Sequence, residues 1–308
     1  MNDRRGADTR ACRADTRVGA GFRPPLCASS RPLPWLRLIL ALAACAALPG
    51  QKLERTFPGA QRVEVDNVWG SIRVTGYEGR DAQLSAVRTI KADTDEQRRR
   101  AEEEVRLDMT EREGTVRLYV DGPFRCQCRH GEEGWRDRDD LRYQVRYDFE
   151  LRVPAGAALR LRTVNEGEIV VENTSGDYDL QNINGRIEMR EVAGSGRVRS
   201  VNRPVRVVFR RNPAAASEFT SVNGEVELQF QPGLAADFRV KTLNGRVYCD
   251  FAVNPLAPRP AAAERREGRF VYRADRYTGV RVGAGGPEIK LETINGTIRI
   301  SERGKEQR

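Results

Sequence analysis

Apolar and polar residues alternate with a period of two in short segments that recur along the chain. In the segment after Asn223, Val226 and Leu228 are apolar and Glu227 between them is charged. Side chains two positions apart on a strand point to the same face, so the pattern predicts short, half-buried strands whose apolar residues face inward. The equivalent apolar pairs are Ile72 and Val74, Ile187 and Met189, Val205 and Val207, Val247 and Cys249, and Ile298 and Ile300.

Each of these segments follows a copy of one turn, which reads Thr, Ser or Asn, then an apolar residue, then Asn and usually Gly. Counted from Asn165, successive copies lie 19, 18, 21 and 21 residues apart, and 51 residues separate the last two. Repetition at this interval indicates one solenoid coil per copy. We therefore predict an all-β fold, a repetitive β-solenoid that is right-handed and β-helix-like, with about 20 residues per coil. An earlier, degenerate copy is Asn67-Val68-Trp69-Gly70.

The Asn-Gly pair predicts where the chain turns, because both residues tolerate positive φ. A second glycine turn, as in Ser175-Gly176-Asp177, separates the copies, so each coil has two strands and two corners. Stacking places the corner asparagines in register, where their amides bond up and down the stack and satisfy polar groups that are costly to bury. The alternative is that this row binds a ligand. The predicted ladder consists of Asn165, Asn184, Asn202, Asn223, Asn244 and Asn295.

Other segments interrupt the repeat. Thr94 and Gln97 form a capping box before a short helix over residues 98–104, and the alternation that follows predicts a hairpin. Residues 143–153 predict one long strand, and the Pro- and Ala-rich stretch after Cys249 predicts an excursion from the solenoid. The chain then divides into a leader (1–50), an N-terminal β region with the helix and a cysteine loop (51–153), the solenoid (154–303) and a polar tail (304–308).

Composition narrows the function classes. The chain has 308 residues, 28 of them Gly, with 3 Met and 1 His, which favours turn-rich β structure and leaves little material for histidine catalysis. The formal net charge is +9, but eight Arg and three Asp in the first 45 residues supply +5 of it. In the remainder, basic and acidic residues alternate in sign, which is typical of a solvated sheet face. We therefore predict no nucleic-acid partner.

A hydrophobic run of about a dozen residues, Leu36 to Pro49, follows Arg31 and ends in small residues. This is the pattern of a secretory signal, and it is too short to span a bilayer. The sequence Leu42-Ala43-Ala44-Cys45 also fits the bacterial lipobox, in which Cys45 is acylated and becomes the new N-terminus. The alternative is ordinary cleavage after Ala44-Cys45-Ala46. Both interpretations predict export to the periplasm, the outer membrane or the cell surface.

Cysteines in the body of the chain raise a metal hypothesis. Cys126, Cys128 and His130 are candidate metal ligands, but a single C-x-C with one His lacks the second ligand pair of structural zinc sites. The interpretation we favour is a surface loop closed by a local or intermolecular disulfide, since exported proteins form disulfides. We predict no cofactor, and we expect Cys249 to belong to the core.

Paired carboxylates are the sequence's best candidates for enzymatic chemistry. Asp177 with Asp179, or Glu225 with Glu227, could act on a polysaccharide, because i, i+2 spacing puts both carboxylates on one strand face. The matching positions of other copies carry Arg, however, so a solvated surface is the interpretation that we favour. The sequence therefore predicts a non-enzymatic protein.

The repeat resembles the bacterial β-strand-repeat putative adhesin family, a domain of unknown function in exported proteins. The resemblance covers residues 52–303 and is carried by Ser221-Val222-Asn223-Gly224-Glu225-Val226, Thr242-Leu243-Asn244-Gly245-Arg246-Val247 and Thr293-Ile294-Asn295-Gly296-Thr297-Ile298. Copies with Trp69, Glu166 and Arg203 depart from the Asn-Gly pair. The resemblance implies a fold and an envelope location, and it implies no activity, ligand or catalytic residue.

The expected function is that of a structural or interaction module of the bacterial cell envelope, with an unidentified envelope protein or glycan as partner. Membrane contact is expected only through a lipid on Cys45. Two alternatives stay open, a polysaccharide-binding or polysaccharide-cleaving solenoid and an envelope-stress accessory protein.

The lipobox hypothesis makes a direct prediction. Replacing Cys45 by Ser removes the only thiol that the lipobox can acylate, so the exported protein should move from the detergent phase to the aqueous phase in a detergent partitioning experiment. Cys27→Ser, outside the lipobox, is the matched control. A Cys45→Ser protein that stays as membrane-associated as the wild type would contradict lipidation.

Overall fold

Between residues 143 and 255, successive strands lie alternately in two large sheets. The structure, a computed structural model, describes residues 50–127, 133–135, 142–258, 262–266, 269–273 and 276–305. These residues form one helix, α1 (Asp95–Glu104), and the strands β1 (Gln51–Phe57), β2 (Arg62–Asp66), β3 (Ile72–Tyr77), β4 (Ala82–Ala92), β5 (Arg106–Arg112), β6 (Thr115–Asp121), β7 (Arg125–Gln127), β8 (Glu133–Trp135), β9 (Tyr143–Pro154), β10 (Ala158–Thr163), β11 (Ile169–Glu172), β12 (Tyr178–Asn182), β13 (Ile187–Val192), β14 (Gly196–Ser200), β15 (Val205–Phe209), β16 (Ser217–Ser221), β17 (Val226–Phe230), β18 (Ala236–Thr242), β19 (Val247–Cys249), β20 (Val253–Pro255), β21 (Ala262–Arg266), β22 (Arg269–Arg273), β23 (Thr278–Val282), β24 (Glu288–Thr293) and β25 (Ile298–Glu302).

The first sheet has ten described strands in the order β1-β4-β9-β3-β11-β13-β15-β17-β25-β19. The second has eleven, in the order β20-β23-β18-β24-β16-β14-β12-β10-β2-β6-β5. Two hairpins, β7–β8 and β21–β22, stand apart from these sheets. The predicted all-β class with one short helix in the N-terminal part is therefore confirmed.

We call a rung the unit of one strand in the eleven-stranded sheet, the corner that follows it, and the next strand in the ten-stranded sheet. The described rungs are β2/β3, β10/β11, β12/β13, β14/β15, β16/β17, β24/β25 and β18/β19. Neighbouring rungs pair in parallel, with Leu159 opposite Tyr178, and Tyr178 opposite Gly196. Parallel pairing requires a crossover between paired strands, and each rung supplies it by visiting the other sheet.

The inward residues of the rungs fill one continuous core between the sheets. Ile72, Ile169, Ile187, Val205, Val226 and Ile298 stack in register and are fully buried. The C-terminal half of the core also contains aromatic rings. Phe209 stacks on Phe230 there, with ring centroids 4.9 Å apart. The period-two pattern thus identified the buried face correctly, because only one face of each strand is covered.

The N-terminal end of the stack is covered by elements outside the repeat. Helix α1 begins after Thr94, whose hydroxyl accepts from the backbone N–H of Gln97 at 3.2 Å, as the capping box predicts. Ala101 is fully buried against the core, and the helix packs on β4 and β9. The Arg88 guanidinium donates to the carbonyl of Ala101 in the last helical turn and to that of Val105, the residue that ends the helix. These bonds tie the end of the helix to β4, beside the hydrogen bond that the Val105 N–H donates to the Ala101 carbonyl.

The predicted hairpin and long strand are both present. Strands β5 and β6 pair antiparallel around Glu113 and Gly114, which have φ of 48° and 72°. Strand β9 pairs antiparallel with β4 on one side and parallel with β3 on the other. It therefore joins the antiparallel N-terminal strands to the parallel rungs.

The stacking order at the C-terminal end differs from the chain order. Rung β24/β25 lies between rungs β16/β17 and β18/β19, since β24 pairs with both β16 and β18. After β19 the chain forms β20, the hairpin β21–β22 and the antiparallel strand β23, and then returns into the stack. The stretch predicted as an excursion after Cys249 thus contributes β20 to the eleven-stranded sheet, and β23 follows it.

This order changes the environment of the pair Val247 and Cys249, which the repeat pattern predicts to be core. Val247 is 45% exposed, whereas its counterpart Val226 is fully buried. Cys249 is only partly buried. The core prediction was wrong for Val247, because β19 is the last described strand of its sheet, whereas Cys249 still packs against the core as predicted.

The corner glycines do not have the conformation that the Asn-Gly signal predicts. Positive φ occurs neither at Gly185, Gly224, Gly245 and Gly296 nor at the asparagines before them. A Cβ on Gly185 would instead lie 1.6 Å from the carbonyl oxygen of Gly167 in the rung before. The chain needs glycine at these corners because the backbones of adjacent rungs approach closely, and the turn joins two sheets instead of closing a hairpin.

We predict that Gly185→Ala lowers the free energy of unfolding by about 3 kcal/mol, because the added methyl group collides with a fixed backbone carbonyl. Gly156→Ala is the matched control, since a methyl there meets no described atom within 4 Å and should change stability by less than about 0.5 kcal/mol. Urea unfolding of both variants measures the difference. Equal midpoints would contradict the close-approach explanation.

Candidate functional site

The repeated corner carries three parallel rows of side chains. The inner row lies at the ends of the strands that enter the corner, and its members are Asn67, Thr163, Asn182, Ser200, Ser221, Thr293 and Thr242. The outer amide row consists of Asn165, Asn184, Asn202, Asn223, Asn295 and Asn244. Between the two lies an aliphatic row, made of Val164, Ile183, Val201, Val222, Ile294 and Leu243.

Members of the inner row donate hydrogen bonds to backbone carbonyls at the glycine corners. The Thr163 hydroxyl donates to the Gly70 carbonyl at 2.9 Å, and the Thr293 hydroxyl donates to the Gly224 carbonyl at 3.1 Å. Thr163 and Thr293 are buried, so the bonds offset the cost of placing their hydroxyls away from water. The inner row was not predicted as a site, although its signal was visible in the Thr, Ser or Asn two positions before each corner Asn.

The outer amide row forms a continuous ladder. Asn184 Nδ2 donates to Asn165 Oδ1 at 2.6 Å, and Asn202 donates to Asn184 in the same way at 2.7 Å. The next links run from Asn223 to Asn202, from Asn295 to Asn223 and from Asn244 to Asn295, at 3.0, 2.8 and 2.8 Å. Asn295 thus stands inside the row, where the rung order puts it.

The ladder is on the surface. Asn184, Asn202, Asn223, Asn244 and Asn295 are exposed, so their amides do not relieve buried polar groups as the sequence led us to expect. The inner row performs that task. Within the ladder each linked amide keeps one further N–H and one further oxygen lone pair for outside partners. The aliphatic row beside it exposes Ile183, Ile294 and Leu243.

The outward faces of both sheets carry charges that in most places alternate in sign between neighbouring rungs, with Arg239 opposite Lys290 as an exception. On the eleven-stranded sheet Asp179 lies opposite Arg197, which forms an ion pair with Glu218 at 3.0 Å. On the ten-stranded sheet Glu227 lies between Arg206 and Arg299. The solvated sheet face expected from the sequence agrees with this pattern. Exposed ion pairs of this kind contribute about 0–1 kcal/mol each to the free energy of unfolding, so they add little to the stability of the fold.

One part of the eleven-stranded face has a denser network. Burial favours the neutral form of Glu218, yet hydrogen bonds from Lys290 and Arg197 hold the pKa of this carboxyl below its usual range. Tyr277 bonds to Glu292, and burial raises the pKa of its phenol to about 12. The Lys241 and Lys290 ammonium groups lie 5.4 and 5.1 Å from the Tyr277 ring centroid. These contacts hold the strand that returns from the excursion against the sheet.

A polar depression of about 480 Å³ lies on the outward face of the ten-stranded sheet, where β1, β4, β9 and β3 meet. Glu150 and Arg152 project from β9 at its centre and are exposed. The remaining polar groups around them come from Glu54, Arg55, Thr56, Arg73, Thr75, Gln83 and Ser85. Carboxylates, guanidinium groups, an amide and hydroxyls thus converge there, and together they can both donate and accept hydrogen bonds.

The carboxylate pairs predicted as catalytic candidates have ordinary surface surroundings. Asp177 and Asp179 line a shallow depression of about 290 Å³ together with Arg62. An Asp179 carboxylate oxygen lies 4.0 Å from the Arg160 guanidinium, and a Glu227 carboxylate oxygen lies 3.2 Å from that of Arg206. Glu225 is exposed just before β17.

The cysteine candidates fall largely outside the described residues. Cys126 lies in the hairpin strand β7, whereas Cys128, His130 and Cys45 are outside the described ranges. Across the described part of the chain, no three His, Cys, Asp or Glu side chains come together as a metal site. No described helix has the length and apolar composition needed to cross a membrane.

Comparison with known proteins gives distant structural similarities. No family model matches the chain, and a search of the curated proteins finds no match either. A putative cell adhesion protein from Clostridium sporogenes aligns with 82% of this chain and 100% of its own, at 11% identity and a TM-score of 0.35. A putative adhesin from Bacteroides fragilis aligns with 82% and 97%, at 8% identity and a TM-score of 0.32. A putative lipid binding protein from Parabacteroides distasonis aligns with 83% and 96%, at 11% identity and a TM-score of 0.27.

The two polar rows should differ in their contribution to stability. Thr293→Val keeps the side-chain volume but leaves the buried Gly224 carbonyl without this donor, so we expect a loss of about 1–2 kcal/mol in the free energy of unfolding. Asn202→Ala removes an exposed ladder amide and should cost less than about 1 kcal/mol. Chemical unfolding compares them, with the exposed Thr278→Val as control. A larger loss for Asn202→Ala would reverse the assignment.

Proposed function

We propose that this chain is an exported, non-enzymatic β-solenoid of the bacterial cell envelope that serves as a rigid interaction module. Its partner in this proposal is an envelope protein or glycan, which it meets through the polar depression around Glu150 and Arg152. The parallel rungs, of which those from β10 to β19 recur at intervals near twenty residues, support the β-helix-like part of this proposal. The secretory pattern before Pro49 supports export.

The polar depression is the observation that carries the proposal. Its floor is formed by four paired strands, so its hydrogen-bonding groups are held in fixed positions before a partner arrives. Fixed groups lose little conformational entropy on binding, which favours recognition. The mixture of acidic, basic and neutral groups suits a polar partner such as a glycan or a peptide strand more than a phosphate backbone, which requires a basic patch.

A non-enzymatic role accounts for the charged positions better than catalysis does. Asp179 and Glu227 each have an arginine beside them and occupy positions that carry Arg in adjacent rungs. Rows of this kind follow from the electrostatics of stacking, since like charges directly opposite each other on neighbouring strands repel. A polysaccharide-cleaving solenoid and an envelope-stress accessory protein are the alternative functions.

The proposal predicts retention without turnover. Purified protein should bind isolated cell-wall glycan or envelope protein in a pull-down, and the double variant Glu150→Gln, Arg152→Ala should weaken binding about 10-fold or more, as expected when central polar contacts are lost. Glu188→Gln with Arg190→Ala is the matched control, because these residues lie on the same sheet outside the depression. Equal binding by both double variants would contradict the assignment of the depression.

The same preparation separates binding from catalysis. Bound glycan should release no reducing ends over time. Release that disappears in Glu225→Gln or Asp179→Asn would establish the polysaccharide-cleaving alternative and overturn the non-enzymatic proposal.

A further inference from the structure

The two ends of the stack are protected differently. At the N-terminal end the last strands of the sheets are β1 and β5, and both carry exposed charged residues such as Lys52, Glu54, Arg106 and Glu111. Charged side chains on an edge strand are a common device against further strand pairing. At the C-terminal end the last strands are β19 and β20, whose sequences, Val-Tyr-Cys and Val-Asn-Pro, contain no charge.

The C-terminal end also exposes apolar side chains, and two of them, Val247 and Val253, lie directly beside residues that are buried. We call the open end the set Leu243, Val247, Cys249, Phe251 and Val253. Leu243 is 72% exposed and Val253 is 43% exposed, while Ala236 and Val282, in line with Val253 on the same sheet, are buried. A stacked-repeat protein normally ends in a cap with a polar outer face, because an uncovered apolar core face associates with other apolar surfaces. Here the described residues provide no such cap.

The open end has the shape of a step. Beyond the last complete rung, β18/β19, the eleven-stranded sheet continues with β23 and β20, whereas the ten-stranded sheet stops at β19. One sheet therefore overhangs the other by two strands, or about 10 Å at the usual strand spacing. A two-fold rotation about an axis parallel to the strands exchanges the two layers and reverses the stacking direction. The overhang of one copy then fills the recess of the other, so the step is complementary to itself.

From these observations we infer that two copies of this chain associate through the open end, with β19 of each copy beside β20 of its partner. The association covers Val247 and Val253 of both chains and joins the two cores into one. Pro255 offers no N–H on β20, so the contact depends on apolar packing more than on a long hydrogen-bond ladder. The inference concerns a different surface from the depression around Glu150 and Arg152, and it does not rest on the proposed function.

The first test is the concentration dependence of mass. Purified protein should move from monomer to dimer in sedimentation velocity, and Val247→Lys or Val253→Glu alone should each weaken the dimer about 100-fold or more, because each places charges in two symmetric apolar contacts. Both residues are nearly half exposed in the monomer, so circular dichroism and thermal unfolding should stay unchanged. Leu53→Lys, an exposed apolar position on β1 at the other end, is the control and should dimerise like the wild type.

The second test addresses the two-fold arrangement. Mixing the Val247→Lys chain with the Val253→Glu chain should restore a heterodimer, because one contact then pairs Lys with Glu and the other is unsubstituted. Alkylation of Cys249 should slow as wild-type protein concentration rises through the dimer range. A protein that stays monomeric at all concentrations, forms open-ended polymers, or shows no rescue on mixing would overturn the inference.

Discussion

The close approach of backbones at the glycine corner is the constraint on which the rest of the structure depends. Added Cβ atoms on Gly185, Gly245 and Gly296 would lie 1.6, 1.9 and 2.2 Å from carbonyl oxygens of adjacent rungs. No side chain fits at these three positions, and the same carbonyls accept side-chain hydrogen bonds from the inner row. One contact therefore sets both the spacing of the rungs and their register. Once the register is fixed, the strand residues of a rung stand beside their counterparts, apart from one register shift between Arg190 and Val192 in β13.

Stacking in register explains why some residue types repeat from rung to rung while charged residues mostly alternate in sign. Identical residues repeat where neighbours can satisfy each other, as in the amide ladder, and fully buried aliphatics repeat where the core needs equal volumes. Charged residues behave in the opposite way, because like charges on adjacent strands repel. The alternation of Arg206, Glu227 and Arg299 across three rungs is a result of that rule. The mixed charge of the body thus reflects stacking and needs no polyanionic partner.

The repeat made the strands and their inward faces predictable, since period two depends only on local burial. The rung order was not predictable, because the corners are interchangeable. Thr242-Leu243-Asn244-Gly245 and Thr293-Ile294-Asn295-Gly296 offer the same bonds to Asn223, and nothing local distinguishes which of them follows. Rung β24/β25 therefore lies between two rungs that are consecutive in sequence, which places β19 at the edge of its sheet, and the period-two pattern of Val247 could not reveal this. The depression was also beyond sequence reasoning, because its groups come from four separated strands.

Because the rungs are interchangeable, the elements that end the stack must lie outside the repeat. A stack whose units fit equally well on either side has no internal signal for stopping, so its ends must be set by elements that break the repeat. Helix α1 and the charged strand β5 do so at the N-terminal end. At the other end, the antiparallel strand β23 breaks the parallel order of one sheet only, while β19 keeps the geometry of an ordinary rung. The ten-stranded sheet therefore ends at β19, whereas the eleven-stranded sheet extends two strands further to β20. This unequal ending leaves apolar side chains exposed, in contrast to the charged edge strands at the N-terminal end.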